Sequence, residues 1–326
     1  MKKLVLAALL ALLPAFACAQ APTSQPAENV KAEAAVPARE SARPPLPGAD
    51  RDADPALFVV RDEDTTIYLF GTIHFLDGRT WFNDEVKTAF DASGELVLEA
   101  KLPEDNIGFA TRMMQMGSDT PGPPLSTRLT PAQNEALNRA LETIGVPRGG
   151  FDRFEPWFVS LTLTAALVQQ LGMSPENGPE TILTRAAQAR RIPIGELEGM
   201  EFQLRIFDGM PQEVQLRQLR QTLDQLHRVE AIMGPMVAAW SAGDLERLAA
   251  ITDEEEGEDA ESRALHQMLF TNRNNAWATW IQRRLEQPGT VFIAVGAGHL
   301  AGPDSVQAAL RARGVETARV PHVAAR

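Results

Sequence analysis

Twice in this chain an apolar run breaks at a glycine and a histidine follows three residues later. Tyr68–His74 reads YLFGTIH, and Val291–His299 reads VFIAVGAGH. Both runs are short and rich in β-branched and aromatic residues, as buried strands are. After the first, Asn83 and Asp84 can cap a helix to about Ala92 that Gly94 ends, and the alternating ELVLE of Glu95–Glu99 follows as a strand. After the second come GPDSVQAALRARG, Gly302–Gly314, read as a helix with Pro303 at its start, and the strand VETARV. Strand, Gly-x-x-His, helix, strand, written twice, demands one α/β architecture. The fold class expected is α/β, with a central sheet built from the two units and a large, mostly helical insertion between them.

The remaining segments fit that frame. Leu57–Val60 and Thr66–Phe70 flank a polar turn and predict a hairpin. In the insertion, Thr130 caps a helix with Pro131 at its first position and Gly145 at its stop. Further helices are expected from Pro156, from Pro179 to Arg190, from Gln212 to about Ile232, and from Ser262 to Leu285. IPIGELE, Ile192–Glu198, reads as a short strand with Glu198 at its carboxyl end.

In an open α/β sheet, ligands gather beyond the carboxyl ends of the strands. If both units share one sheet, Gly71–His74, Glu99, Glu198 and Gly296–His299 meet at that edge, however far apart in sequence. A lone histidine among apolar residues is more often a packed core group; the second unit tips His74 and His299 toward a site. The glycines Gly71 and Gly296 allow the sharp turn and close backbone approach. Two imidazoles with one or two carboxylates suit a divalent metal: nitrogen favours Zn, Co, Ni or Fe, and carboxylate oxygen shifts the balance toward Mn. Such a metal would activate water and polarise a carbonyl. Without one, a histidine oriented by Glu99 could act as general base. Both versions lead to acyl-group hydrolysis.

Composition narrows the setting. The opening MKKLVLAALLALLPAFACA has two lysines, an apolar core too short to span a bilayer and a small-x-small ending, so residues 1–19 read as a secretory signal cut before Gln20. The single cysteine, Cys18, falls inside it. A lipidated Cys18 is the alternative, but Ala15 and Phe16 make a poor lipobox. The mature chain then has no thiol for a disulfide or a nucleophile. Residues 20–53 are Ala, Pro, Glu, Arg and Ser with almost no large apolar residue, a disordered linker ahead of one domain over 54–326. A net charge of −12 argues against nucleic acid or an anionic membrane as partner, and no later apolar run is long enough for stable membrane insertion. A periplasmic or secreted protein is expected.

Other signals are weak. GAGHLAG places its third glycine wrongly for a dinucleotide loop, and H-E-x-x-H, G-x-S-x-G and Walker motifs are absent. His227, His266 and His322 sit in polar contexts and read as surface residues. Met113, Met114 and Met116 read as core filling or a mobile cover. The acidic run Thr252–Ser262 reads as a solvated loop.

The stretches YLFGTIHFL, ELVLEA, PIGELEGMEFQL, TNRNNAWATWI and VFIAVGAGHLAGPDSVQAALRARG, in this order, resemble the TraB/GumN family, which includes the Tiki metalloproteases. The resemblance runs from about Leu57 to Val320. It implies a Tiki-like fold related to the erythromycin-esterase and ChaN-like proteins, with His74, Glu99 and His299 as catalytic and metal-binding residues. Arg273 and Asn274 match the R-N pair, and Glu198 matches the L-E pair. Arg273 is suited to hold a substrate carboxylate or an oxyanion; its alternative is an ion pair to Glu99 or Glu198. Where relatives show Gly-x-Asp, this chain has GPETIL with Glu180 in the slot, which either caps a helix or alters the site.

The function expected from these readings is a secreted, metal-dependent hydrolase of peptide-like bonds, holding Mn or Co, with Zn a third choice, and taking a peptide or a small ester or amide as substrate. Two alternatives stand beside it. One is a haem or small-ligand binder of the ChaN-like type, for which Tyr68 is the one available tyrosine ligand. The other is a metal-independent esterase with His74 as base. An accessory role in polysaccharide or envelope export is a further possibility.

Overall fold

The computed structural model describes residues 52–101, 103–255 and 259–322. The expected signal segment, Cys18 and nearly all of the linker lie outside the described residues, as does part of the acidic run.

Six strands form one sheet: β1 (Leu57–Arg61), β2 (Thr65–Thr72), β3 (Glu95–Leu98), β4 (Ile194–Glu196), β5 (Gly289–Gly296) and β6 (Ala318–Arg319). Their order is β4-β3-β5-β2-β1-β6. The expected hairpin is β1–β2, paired antiparallel, and β6 runs antiparallel to β1 at the edge. β2, β5, β3 and β4 are mutually parallel. Both strand–Gly-x-x-His units therefore belong to one sheet, and their strands are neighbours. The register pairs Gly71 with Val295 and Thr72 with Gly296, so the two motifs leave the sheet side by side.

Period-2 alternation divides β2, β3 and β5 between two apolar layers. Phe70, Leu96, Leu98, Phe292 and Ala294 join Trp81, Phe90 and the helical insertion on one face. Ile67, Leu69, Val97, Val291, Ile293 and Val295 face the other, where Trp277, Ile281, Val306 and Leu310 cover them. Buried on both faces, these strands read as continuous apolar runs, as parallel strands do.

The helices depart from expectation at their ends. Thr130 makes a full capping box with Gln133 ahead of helix Pro131–Thr143, and helices Pro156–Gln170 and Pro179–Arg190 stand where expected. Asn83 is an N-cap whose side chain makes no capping bond; its amide turns instead to Asp52. The long helix expected from Gln212 is two, Gln212–Gln225 and Val229–Ser241, divided by a 3₁₀ turn. That expected over 262–285 is Ala260–His266, a π turn at Gln267–Thr271, and Asn272–Leu285. The last helix starts at Val306 rather than Pro303, because Ser305 accepts from Ala308 N and caps it. The four residues before that helix form an irregular turn. Helices Asn106–Met116, Met200–Asp208 and Leu245–Glu255 complete the insertion; the first includes Met113 and Met116, buried or packed on the core, and Met114, which is exposed.

Candidate active site

β3 and β4 deliver two acids beyond their ends. The ladder continues past both strands through Leu197 N to Leu98 O (2.9 Å) and Glu198 N to Glu99 O (2.8 Å), which sets Glu99 and Glu198 side by side. Helix Asn272–Leu285 brings Arg273 into the gap. Its Nε donates to Glu198 Oε1 (2.9 Å), its Nη2 to Glu99 Oε2 (2.9 Å) and to Glu198, and its Nη1 to Leu269 O (2.9 Å) and His299 Nε2 (3.0 Å). All five guanidinium N–H groups are thereby spent on protein acceptors. Gln203 Nε2 donates to both acids, at 3.1 and 3.0 Å, and Gly296 N donates to Glu99 Oε1 at 2.6 Å.

These bonds fix the state of His299. Asn274 Nδ2 donates to Asp304 O (2.7 Å), so its Oδ1 is the atom 2.6 Å from His299 Nδ1 and must accept there. The imidazole is then neutral, protonated on Nδ1, with the Nε2 lone pair taking the Arg273 N–H. Electrostatics agree. Full burial, then the charges of Arg273, His74 and His266, hold the His299 pKa well below its usual value. Burial raises that of Glu99 despite the pull of Arg273 and His74. For Arg273, the two carboxylates outweigh burial and hold the guanidinium charged. The ring of His299 is packed between Trp277 (4.4 Å) and Phe270 (5.0 Å).

His74 faces a second acid. Its Nδ1 lies 2.7 Å from Glu180 Oε1, and Thr72 Oγ1 donates to the same oxygen at 2.5 Å. Both side chains are buried, at 3% and 11% exposure. Glu180 therefore belongs to the site; it sits in the first turn of helix Pro179–Arg190, whose N-cap is Gly178 and which has no side-chain capping bond. Burial pushes its pKa up, but the charge and hydrogen bond of His74 and the Thr72 bond outweigh that and hold it below the usual range. A carboxylate with a depressed folded pKa stabilises the fold above its unfolded value, here about 4.5, and loses that contribution as pH falls through the folded one. The gap in urea midpoint between wild type and Glu180→Gln should therefore narrow below about pH 4.5. A gap constant from pH 7 to 3 would show that the Glu180 pKa is not depressed in the fold.

Two glycines permit this packing. A Cβ on Gly71 would sit 3.1 Å from Ala297 Cβ in the second motif, while Trp240 Nε1 donates to Gly71 O at 2.8 Å. A Cβ on Gly178, just before the Glu180 helix, would meet His74 O at 2.3 Å. Neither backbone can yield without moving His74 or Glu180, so Gly178→Ala should cost about 1–3 kcal/mol in urea unfolding. An unchanged midpoint would contradict that contact.

His74 lines a cavity of about 40 Å³ with Met233, Met236, Trp240 and Leu248. That is room for roughly three waters, not for a haem macrocycle. Tyr68 lies within β2, packed on the core and 6.5 Å from Phe292. A cleft of about 430 Å³ adjoins the cavity, the two sharing Thr252, Phe270 and Gly298.

The residues expected at the site are brought together in two sets, Glu99, Glu198, Arg273, Asn274 and His299 in one and His74 in the other with Glu180. Arg273 takes the ion-pair alternative rather than facing a substrate anion. As placed, the donors do not fit a metal on His74, Glu99 and His299: a guanidinium sits among the acids and takes the His299 lone pair. Among the described residues, Asp54, Glu85 and His322 are the one group of three or more such side chains with ligand atoms all within 4.8 Å of one another, and they lie at the surface. Sequence reasoning passed over Thr72, Gln203 and Asp304. All three lay within quoted stretches without being singled out, Thr72 in YLFGTIHFL, Gln203 in PIGELEGMEFQL and Asp304 in VFIAVGAGHLAGPDSVQAALRARG. His227 and His322 are on the surface, whereas His266 lines the cleft.

The sequence profile described as the TraB/PrgY/gumN family matches residues 56–319. An uncharacterised protein of Treponema pallidum is 26% identical over 285 residues, 82% of this chain and 83% of the relative. The uncharacterised protein YbaP of Escherichia coli is 27% identical over 187 residues, 57% of this chain and 68% of that protein. No solved structure matches the chain significantly. Among the described residues, no helix is long and apolar enough to cross a membrane.

Proposed function

This chain belongs to the TraB/PrgY/gumN family, and from that premise we propose that it hydrolyses acyl bonds, with His74 as general base and Glu180 as the group that orients it. The observation carrying this reading is the buried 2.7 Å contact between His74 Nδ1 and Glu180 Oε1 at the wall of a water-sized cavity. With Nδ1 set 2.7 Å from the carboxylate, the tautomer protonated on that nitrogen is favoured and the basic lone pair lies on Nε2. It can take a proton from a water as that water attacks an ester or amide carbon, and Glu180 then stabilises the imidazolium. The Arg273 network ties the second motif loop, through His299 and Gly296, to Glu99 beyond β3.

The same chemistry run through a divalent metal is the expectation from the two imidazoles with their carboxylates and from the resemblance, and one assay separates the two. Purified protein is given 4-nitrophenyl acetate and a peptide anilide before and after exhaustive chelation. We expect hydrolysis unaffected by the chelator. Activity lost on chelation and restored by Mn or Co would overturn the histidine-base mechanism in favour of the metal. The signal-like pattern of residues 1–19 supports a substrate outside the cytoplasm, a peptide or a small ester or amide.

A further inference from the structure

We infer that Asp54, Glu85 and His322 form a second site, independent of the hydrolase reading, which binds one zinc-type divalent ion and fastens the stretch after β6 to the body of the domain. Three separate parts of the chain supply the ligands. Asp54 is fixed by its own N–H, which donates to Ser241 O (2.7 Å), and by the neighbouring bond from Ala53 N to Thr80 O (2.8 Å). Glu85 stands in the first turn of helix Asp84–Ala92. His322 lies just beyond β6, where Val320 N donates to Leu57 O (2.9 Å).

Two carboxylate oxygens converge on one ring nitrogen. His322 Nδ1 lies 3.0 Å from Asp54 Oδ1 and 3.2 Å from Glu85 Oε1. That nitrogen carries at most one proton, and a single N–H cannot be aimed well at both acceptors. A metal ion satisfies all three donors at once. Placed about 2.1 Å from each, it sets neighbouring ligand atoms about 3.0–3.4 Å apart, depending on whether the angles are octahedral or tetrahedral. Both nitrogen–oxygen edges already have that length, and the oxygen–oxygen edge is no longer than 4.8 Å. The Asp54 and His322 side chains are 38% and 37% exposed, which leaves a way in for the ion and room for water to complete its shell.

The surroundings favour a cation. The charges of Asp52 and Asp84 act on Asp54, and that of Asp84 acts on His322, so the field at the site is negative. Arg319 is the cation whose charge reaches Glu85, but its Nη2 is spent on Gly243 O (3.0 Å) and its guanidinium lies over the Phe58 ring (5.4 Å). One imidazole with two carboxylates is a donor set that zinc accepts. The fastening has a mechanical use: β6 is a two-residue edge strand paired only to Phe58 and Val59.

Equilibrium dialysis of untagged protein against zinc chloride tests this. Wild type should take up one equivalent at this site, and its thermal midpoint should rise by a few degrees when zinc is saturating. His322→Gln and Asp54→Asn should each weaken binding by at least about 10-fold with far-UV circular dichroism unchanged, while His74→Ala should bind as wild type does. No uptake below about 1 mM zinc overturns the site. So does uptake unchanged in both folded variants, or uptake lost in His74→Ala and kept in His322→Gln, which would place the ion at the candidate active site. If His322→Gln does not fold, Asp54→Asn decides by the same constant. Ester hydrolysis is measured separately, so the failure of either reading leaves the other standing.

Discussion

Arg273→Met should lower the unfolding free energy by about 3–5 kcal/mol. Arg273 is 3% exposed, and each of its N–H groups has an acceptor. Removing it leaves Glu99 and Glu198 buried side by side without their cation, and the His299 Nε2 lone pair without its donor. Gln203 and the Gly296 amide cannot neutralise two carboxylates, so the acids must protonate or the site must open to water. The triple variant Arg273→Met, Glu99→Gln, Glu198→Gln should recover a large part of the loss, because it removes the charges along with their partner. Urea unfolding near neutral pH decides. A cost under about 1 kcal/mol for the single variant would mean that solvent reaches the network.

His74→Ala should lower kcat by about 10²–10⁴ with the fold retained, the span expected when a general base is lost. Glu180→Gln should reproduce much of that loss although the imidazole is untouched, because an amide can present N–H to Nδ1 and reverse the tautomer. Nε2 would then carry the proton rather than the lone pair. Thr72→Val, which removes a second donor to Glu180, should have a smaller effect in the same direction. The comparison also guards against a contaminating esterase, whose rate would be the same in all preparations. Full activity in folded His74→Ala would end its assignment as base.

The parts of this site legible in the sequence were those written locally. A strand that ends in Gly-x-x-His is visible within ten residues, and its repetition led to one shared sheet, in which the register of β2 with β5 sets the two motifs side by side. Glu180 showed only as a departure from the pattern of relatives. That it would meet His74 depends on how helix Pro179–Arg190 packs, and that contact spans over a hundred residues of chain. His266 looked like a surface residue because nothing in ALHQMLFTN announces a π turn, and Asp304 was hidden inside a helix assumed to begin at Pro303. Arg273 posed a choice that residue type could not make, since a guanidinium suits a substrate anion and a buried ion pair equally well. Its surroundings decide between them.

The place of β5 bears on how the molecule is put together in time. It is the fifth strand in sequence yet sits inside the sheet, pairing β2 on one side and β3 on the other. The contacts between β2 and β5 join segments more than two hundred residues apart, so contact order is high and folding should be slow. A chain halted before Gly289 would lack the strand joining the two halves of the sheet. What remained would be two ribbons, β1–β2 and β3–β4, each of a size that is marginal in water and each with an apolar edge open to pairing with another chain.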